Sequence, residues 1–271
     1  MFFRKKICSQ CGSEYDEASP TCPACGTADV HYEETKLPKE VTWMPWWKQL
    51  IVFLIGSIGL TIAVTVVSLI FVLAKGSSDV GLADTVAVDF IGYAIIIIGM
   101  VAILWPHYKE LFKSFKKWLP YLMGLAGAGV LYLFSLFYGV ILQYIPIDVT
   151  DNANQALAEE FVKGYPGIAI VLIGILGPLA EELTYRVGLY TLGLRVKKWV
   201  AYVAVTIIFA FIHFDFGSFS DAKALTNELL NLPSYAFAGL TLCFLYDKWG
   251  LSASLTAHIL NNVVSCIFIL L

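Results

Sequence analysis

Gly177-Pro178-Leu179-Ala180-Glu181-Glu182-Leu183-Thr184-Tyr185-Arg186 sets two adjacent carboxylates and a guanidinium inside an otherwise apolar run from Gly167 to Leu194. The run is long enough to cross a bilayer. Ionisable groups within a span are costly, and by default they mark a functional site. Glu182 and Arg186 lie four residues apart on one helical face and can pair. That pairing leaves Glu181 without a countercharge, so a purely structural ion pair explains only part of the motif. Partners for Glu181 must come from other segments.

Working outward, the whole chain is apolar. Of 271 residues, 58% are hydrophobic and 14% charged, with a mean hydropathy of +0.74. A soluble domain carries about 25% charged residues. The deficit is spread over apolar segments near 49–74, 88–105, 119–145, 167–194, 199–216, 228–246 and 251–271. This predicts an all-α polytopic membrane protein with about seven transmembrane helices, the second and fifth being the shortest. Arg4-Lys5-Lys6 is followed by no apolar stretch of signal-peptide type, so no removable leader is expected. Gly124, Gly127, Gly129, Gly174 and Gly177 read as sites of close helix packing. His107 to Trp118, aromatic and basic, is a candidate amphipathic surface helix.

The connecting segments alternate in charge. Lys109, Lys113, Lys116 and Lys117 share a side with Arg195, Lys197, Lys198 and the basic N-terminus, while Asp148, Asp151, Glu159 and Glu160 lie on the other. By the positive-inside rule the N-terminus is cytoplasmic and the C-terminus external in a multi-pass cell-membrane protein. The lipid bilayer is then the main partner, and no nucleic-acid partner is expected.

Before the first span, Cys8-x-x-Cys11-Gly12 and Cys22-x-x-Cys25-Gly26 are separated by ten residues. Each is a knuckle in which a tight turn brings two thiolates to one metal and glycine supplies a positive φ. Four ligands close a tetrahedral site, so residues 1–27 are expected to form a structural Zn²⁺ ribbon. A disulfide pair is the rival reading; it needs an oxidising compartment, which the predicted topology denies it. Residues 28–47 read as a polar linker ending in the interfacial anchor Trp43, Trp46 and Trp47, and residues 48–271 as the transmembrane domain. Cys243 and Cys266, single and in apolar runs, are expected in the core. His31 and His107 read as surface residues.

Three segments offer polar groups that can meet Glu181. Phe209-Ala210-Phe211-Ile212-His213 ends the fifth, and His258-Ile259-Leu260-Asn261-Asn262 lies in the seventh. Measured from the nearest basic residue on the same helix, Glu181, His213 and Asn262 all lie at about 21–22 Å, at 1.5 Å per residue. His258 is one turn shallower. A lone histidine on an apolar helix is usually a satisfied core residue, but four such groups at matched depth point to catalysis or ion handling.

Glu-Glu-x-x-x-Arg, Phe-x-x-x-His and His-x-x-x-Asn on successive helices resemble the CPBP family, the CAAX proteases and bacteriocin-processing or immunity (Abi) proteins that include the Rce1-like endopeptidases. The resemblance covers residues 167–271. Many relatives have glycine directly after the arginine, where Val187 stands before Gly188 in this chain. It implies intramembrane peptide-bond hydrolysis, with Glu181, Glu182, Arg186, His213, His258 and Asn262 as the site and a peptide or protein in or at the membrane as substrate.

The residue types suit that reaction, which needs an activated water, a proton shuttle and oxyanion donors. Glu181 and His213 can hold and deprotonate the water, with Glu182 tied to Arg186; Asn262 and His258 can donate to the oxyanion. Alternatively both histidines and one glutamate bind zinc and the other glutamate is the base, so an active-site metal stays open. Two readings compete with hydrolysis. One is a non-catalytic membrane scaffold or immunity protein of the same fold. The other is a transporter, disfavoured by the lack of internal repeats.

Overall fold

The structure, a computed structural model, describes residues 5–8, 10–16, 21–27, 30–31, 43–146, 149–150 and 152–271. Arg4, most of the linker (32–42), Asp148 and Asp151 lie outside the described residues, as do the side chains of Lys5, Lys6 and His31. The chain divides into two compact units, Met1–Trp43 and Met44–Leu271.

The first unit is a three-stranded antiparallel sheet of order β2-β1-β3, with β1 Lys5–Cys8, β2 Glu14–Asp16 and β3 Val30–His31. Ile7 pairs with Glu14 on one side and His31 on the other. β3 falls in the segment read from sequence as linker. Gly12 and Gly26 adopt φ of 71° and 73°, the left-handed conformation that each knuckle requires. Their N–H groups close the turns onto the carbonyls of Cys8 and Cys22, at 2.8 and 2.7 Å.

The second unit is all helical, and its helices make this a polytopic membrane protein. Among the described residues six are long and apolar enough to cross a bilayer: α1 Trp46–Lys75, α2 Leu82–Leu111, α3 Leu119–Gln143, α5 Pro166–Gly193, α7 Ala222–Trp249 and α8 Leu251–Leu270. Between them lie the amphipathic α4 Ala153–Gly164 and the apolar α6 Lys198–Phe211. The fifth apolar segment, read as 199–216, is therefore a 14-residue helix followed by a polar turn. It ends early because its last turn tightens, with His213 N–H bonding Ala210 O and Phe214 N–H bonding Phe211 O. The next N–H, of Asp215, goes to a side chain, Glu228, instead of continuing the helix. His107 to Trp118 is no continuous helix; it is broken into the end of α2 and a separate 3₁₀ turn, Ser114–Lys116.

α5 is the central element. Half of its spanning window is buried, against 11% for α1, whose Ile58, Ile62, Val66, Leu69 and Leu73 face outward as a lipid-exposed stripe. It packs against α1, α2, α6 and α8, while α3 backs α7 and α8. The approach of α1 is backbone-close. A Cβ at Gly188 would stand 2.9 Å from the Phe53 amide nitrogen, so only glycine allows this crossing. Cys243 and Cys266 are buried in the core.

The two ends of the bundle differ. At one, Arg195 Nε donates to Gln49 Oε1 at 2.6 Å, Lys198 meets Asp247 at 2.7 Å, and Ser252 N–H reaches Ser114 Oγ at 3.1 Å. At the other, Asn227 and Glu228 hold the chain before α4. α6 runs from the first end to the second, so its short helix plus turn spans the bundle.

Candidate active site

α5 departs from α-helical geometry twice, at Leu172–Leu176 and Glu182–Tyr190, where it widens to a π-helix. π-segments concentrate at functional sites because they release backbone groups and re-aim side chains. The first has a cause in the sequence. In π register Gly177 N–H bonds Leu172 O. The next donor in that register is residue 178, a proline with no N–H. Ile173 O accepts instead from Asn262 Nδ2, at 3.1 Å. That bond uses one amide hydrogen of Asn262, and Asn261 Nδ2 holds the Asn262 carboxamide oxygen at 3.2 Å. Its remaining N–H belongs to the cavity that Asn262 lines.

The adjacent glutamates have different surroundings. Glu182 and Arg186 are both fully buried and paired at 3.4 Å. The guanidinium also lies 4.7 Å from the centroid of the Phe209 ring, a cation–π contact. The other carboxylate oxygen of Glu182 is 2.9 Å from His258 Nδ1. Glu181 keeps 20% of its side chain exposed and lines the cavity, its Oε2 3.6 Å from His258 Nε2. That separation is too long for a direct hydrogen bond, and Oε2 finds no donor among the described residues.

His213 lies just past the end of α6. Its Nδ1 is 2.8 Å from Phe209 O, so Nδ1 carries the proton and Nε2 is left as the basic nitrogen. The ring stacks on Tyr235, with centroids 4.3 Å apart at 14°. Phe209 explains the aromatic position of its motif, since it touches the Arg186 guanidinium, His213 and His258 together.

Glu181, His213, His258 and Asn262 thus line one cavity of ≈ 160 Å³, with Glu182 and Arg186 sealed behind it. A second cavity of ≈ 640 Å³ shares Glu181 and His213 and extends between apolar walls that include Leu60, Ile208, Phe211 and Phe216. The carboxylate and the imidazole stand where a polar and an apolar chamber meet.

The sequence reading passed over Asn152, Glu228, Tyr235 and Asn261. Asn152 Nδ2 donates to His213 O at 3.2 Å, and Tyr235 OH donates to Asn152 Oδ1 at 3.2 Å. Glu228 was discoverable. It opens the segment 228–246 as an acidic group at the edge of an apolar run, the signal that singled out Glu181. The same signal applies to Asp89 within 88–105, which is half-buried in α2.

In the N-terminal unit, Cys8 and Cys25 Sγ are 3.4 Å apart, Cys11 and Cys22 Sγ 3.6 Å, and all four lie within 4.8 Å of one another. A tetrahedral zinc with bonds of about 2.3 Å sets sulfurs about 3.8 Å apart, so the set fits a metal ion. Hydrogen bonds from Thr27 lower the Cys25 thiol to about 6, and burial raises Cys22 to about 11. Among the described residues this is the cluster of three or more His, Cys, Asp or Glu groups with metal-ligand proximity.

Residues 164–264 match the family described as type II CAAX prenyl endopeptidase Rce1-like. Among curated proteins the chain is similar to the UPF0177 protein YvdC of Lactococcus lactis subsp. lactis, 25% identical over 155 residues, which are 57% of this chain and 55% of that protein. The chain thus spans about half the length of the curated relative it matches. No solved structure matches. The matched stretch holds Glu181, Glu182, Arg186, His213, His258 and Asn262, so the similarity to the Rce1-like family lies in the segment that bears the site.

Proposed function

We propose that this chain is an intramembrane endopeptidase acting on a peptide or protein at the membrane. The observation that carries the reading is the split between the two glutamates. Glu182 is sealed with Arg186 and His258, whereas Glu181 opens onto the cavity shared with His213, His258 and Asn262. A water held between Glu181 and His213 Nε2 gives up a proton to Glu181 and attacks the scissile carbonyl. The tetrahedral oxyanion is met by the free N–H of Asn262 and by the Nε2–H of His258 in its imidazolium form, since the Nδ1–H is already given to Glu182. Glu181 then returns the proton to the leaving amine as the C–N bond breaks, and the net reaction consumes one water.

The cysteine cluster is read as a structural zinc site, its four thiolates leaving no open position for chemistry. The basic end of the bundle is read as cytoplasmic, which puts the ribbon in a reducing compartment and the catalytic cavity toward the external side.

Membrane peptides from cells carrying wild-type or Glu181→Ala protein, compared by mass spectrometry, test the reading. Cleavage products should vanish with Glu181→Ala. A wild-type phenotype lost in this variant with no change in any product would identify a binding protein instead.

A further inference from the structure

Glu228 is 4% exposed and lies in α7, on the same helix as Tyr235. It is not among the residues that line the catalytic cavity, yet both carboxylate oxygens are engaged. Oε1 accepts from Ala153 N–H at 3.0 Å and Oε2 from Asp215 N–H at 3.1 Å. These donors belong to two segments distant in sequence, each attached to His213. Asp215 is two residues beyond it, at the end of the turn that terminates α6. Ala153 follows Asn152, whose Nδ2 donates to His213 O and whose Oδ1 caps α4 by accepting from Gln155 N–H at 3.0 Å. Tyr235, on which the His213 ring stacks, donates its hydroxyl to the same Asn152 oxygen.

This arrangement answers a problem specific to His213. The other cavity groups sit on continuous helices, whose hydrogen bonds fix the backbone. His213 sits past a helix end, where the last carbonyls lack intrahelical donors and only short 3₁₀-type bonds hold the turn. A buried carboxylate is acceptor-only, and two backbone N–H groups satisfy it in a way that no neutral side chain reproduces. We propose that Glu228 is a positioning residue, a clamp that holds the His213 turn and the start of α4 in the one arrangement that presents His213 Nε2 to Glu181. The proposal rests on the endopeptidase reading for its kinetic readout, but its spectroscopic readout is independent of any activity.

The test uses the full chain purified in detergent. Glu228→Gln keeps the shape but turns one acceptor into a donor facing a backbone N–H. Expected is a fall in kcat of about tenfold to a hundredfold on a fluorogenic peptide, with KM little changed, as for loss of alignment rather than of binding. In ¹⁵N-histidine spectra His213 should show the single Nδ1–H tautomer in the wild type and a mixture of tautomers in the variant. Ala153→Pro is the second variant, for the case that Glu228→Gln fails to fold. It deletes only the N–H given to Oε1, at the first position of α4, where proline suits a helix. Asn152 before it already has φ −76° and ψ 170°, the extended conformation proline demands of its predecessor. Reduced kcat and mixed tautomers at an unchanged melting midpoint support the clamp. Wild-type kcat and a single His213 tautomer in whichever variant folds overturn it. A chain that hydrolyses nothing defeats the endopeptidase reading, and the imidazole spectra still decide for or against the clamp.

Discussion

His258 turns its Nδ1 to within 2.9 Å of Glu182 Oε1. The second glutamate of the pair therefore has two partners, Arg186 along its own helix and His258 across from α8. It orients one member of the cavity while anchoring a buried cation. Its neighbour Glu181 has neither duty and faces the open space.

The two glutamates should respond differently to the same substitution. Glu181→Gln should abolish turnover while the protein keeps its melting midpoint. Glu182→Gln should lower stability by about 3–5 kcal/mol, because Arg186 is left as a buried unpaired charge. Thermal melting and peptide cleavage of purified variants measure both; an active Glu181→Gln protein contradicts the assignment of the base.

Pro178→Ala should loosen Asn262. An amide restored at residue 178 supplies the N–H that π register would direct to Ile173 O, and it competes with the Asn262 side chain for that carbonyl. Activity should fall by about tenfold while stability is unchanged or raised, since proline inside a helix costs about 3 kcal/mol relative to alanine. Full activity would show that the Ile173 bond does not orient the amide.

Ribbon and cavity should separate. Cys22→Ser with Cys25→Ser should remove the metal and unfold the N-terminal unit, yet leave cleavage of a free peptide intact. In the wild-type chain zinc should shield Cys8, Cys11, Cys22 and Cys25 from alkylation, and a chelator should expose all four. Mass mapping of alkylated peptides with and without a chelator reads the outcome.

Orientation is open to a labelling experiment. A cysteine placed after Leu271 should react with a membrane-impermeant maleimide on intact cells, whereas Cys8, Cys11, Cys22 and Cys25 should not. The opposite pattern would reverse the topology and remove the reducing environment invoked for the ribbon.

Gly188→Ala should destabilise by about 1–3 kcal/mol, the usual range for overpacking. The obstructing atom is the Phe53 backbone nitrogen, which cannot swing aside as a side chain can. Melting in detergent gives the value; a neutral result would mean that α1 is free to move away from α5.

What was legible in the sequence follows from cost. Glu181, Arg186, His213, His258 and Asn262 stood out because each is expensive where its neighbours are apolar, and the knuckle glycines because each follows a Cys-x-x-Cys. Asn152 escaped notice because polar residues are ordinary between helices. The end of α6 at Phe211 was hidden for a different reason. Ile212 and Phe214 continue the apolar run, and the carboxylate that takes the Asp215 amide in place of a helical carbonyl, Glu228, lies on the next long helix. The π register of α5 was also invisible, although Pro178 marks where its hydrogen bonds are rerouted.

The shortness of α6 has a bearing on how water can reach a cavity inside a bilayer. Fourteen residues rise about 21 Å, leaving about 9 Å of a 30 Å hydrocarbon core to be crossed by the His213–Asp215 turn. That turn carries backbone carbonyls and amides, with Asn152 and Glu228 bound to them, within the length a spanning helix would otherwise cover. Lipid tails do not solvate such groups, so the bilayer thins or water fills the dip. A shallow wetted notch at this one helix would hydrate Glu181 without a tunnel through the bundle, and the reagent the reaction consumes would arrive along the same backbone that carries its histidine.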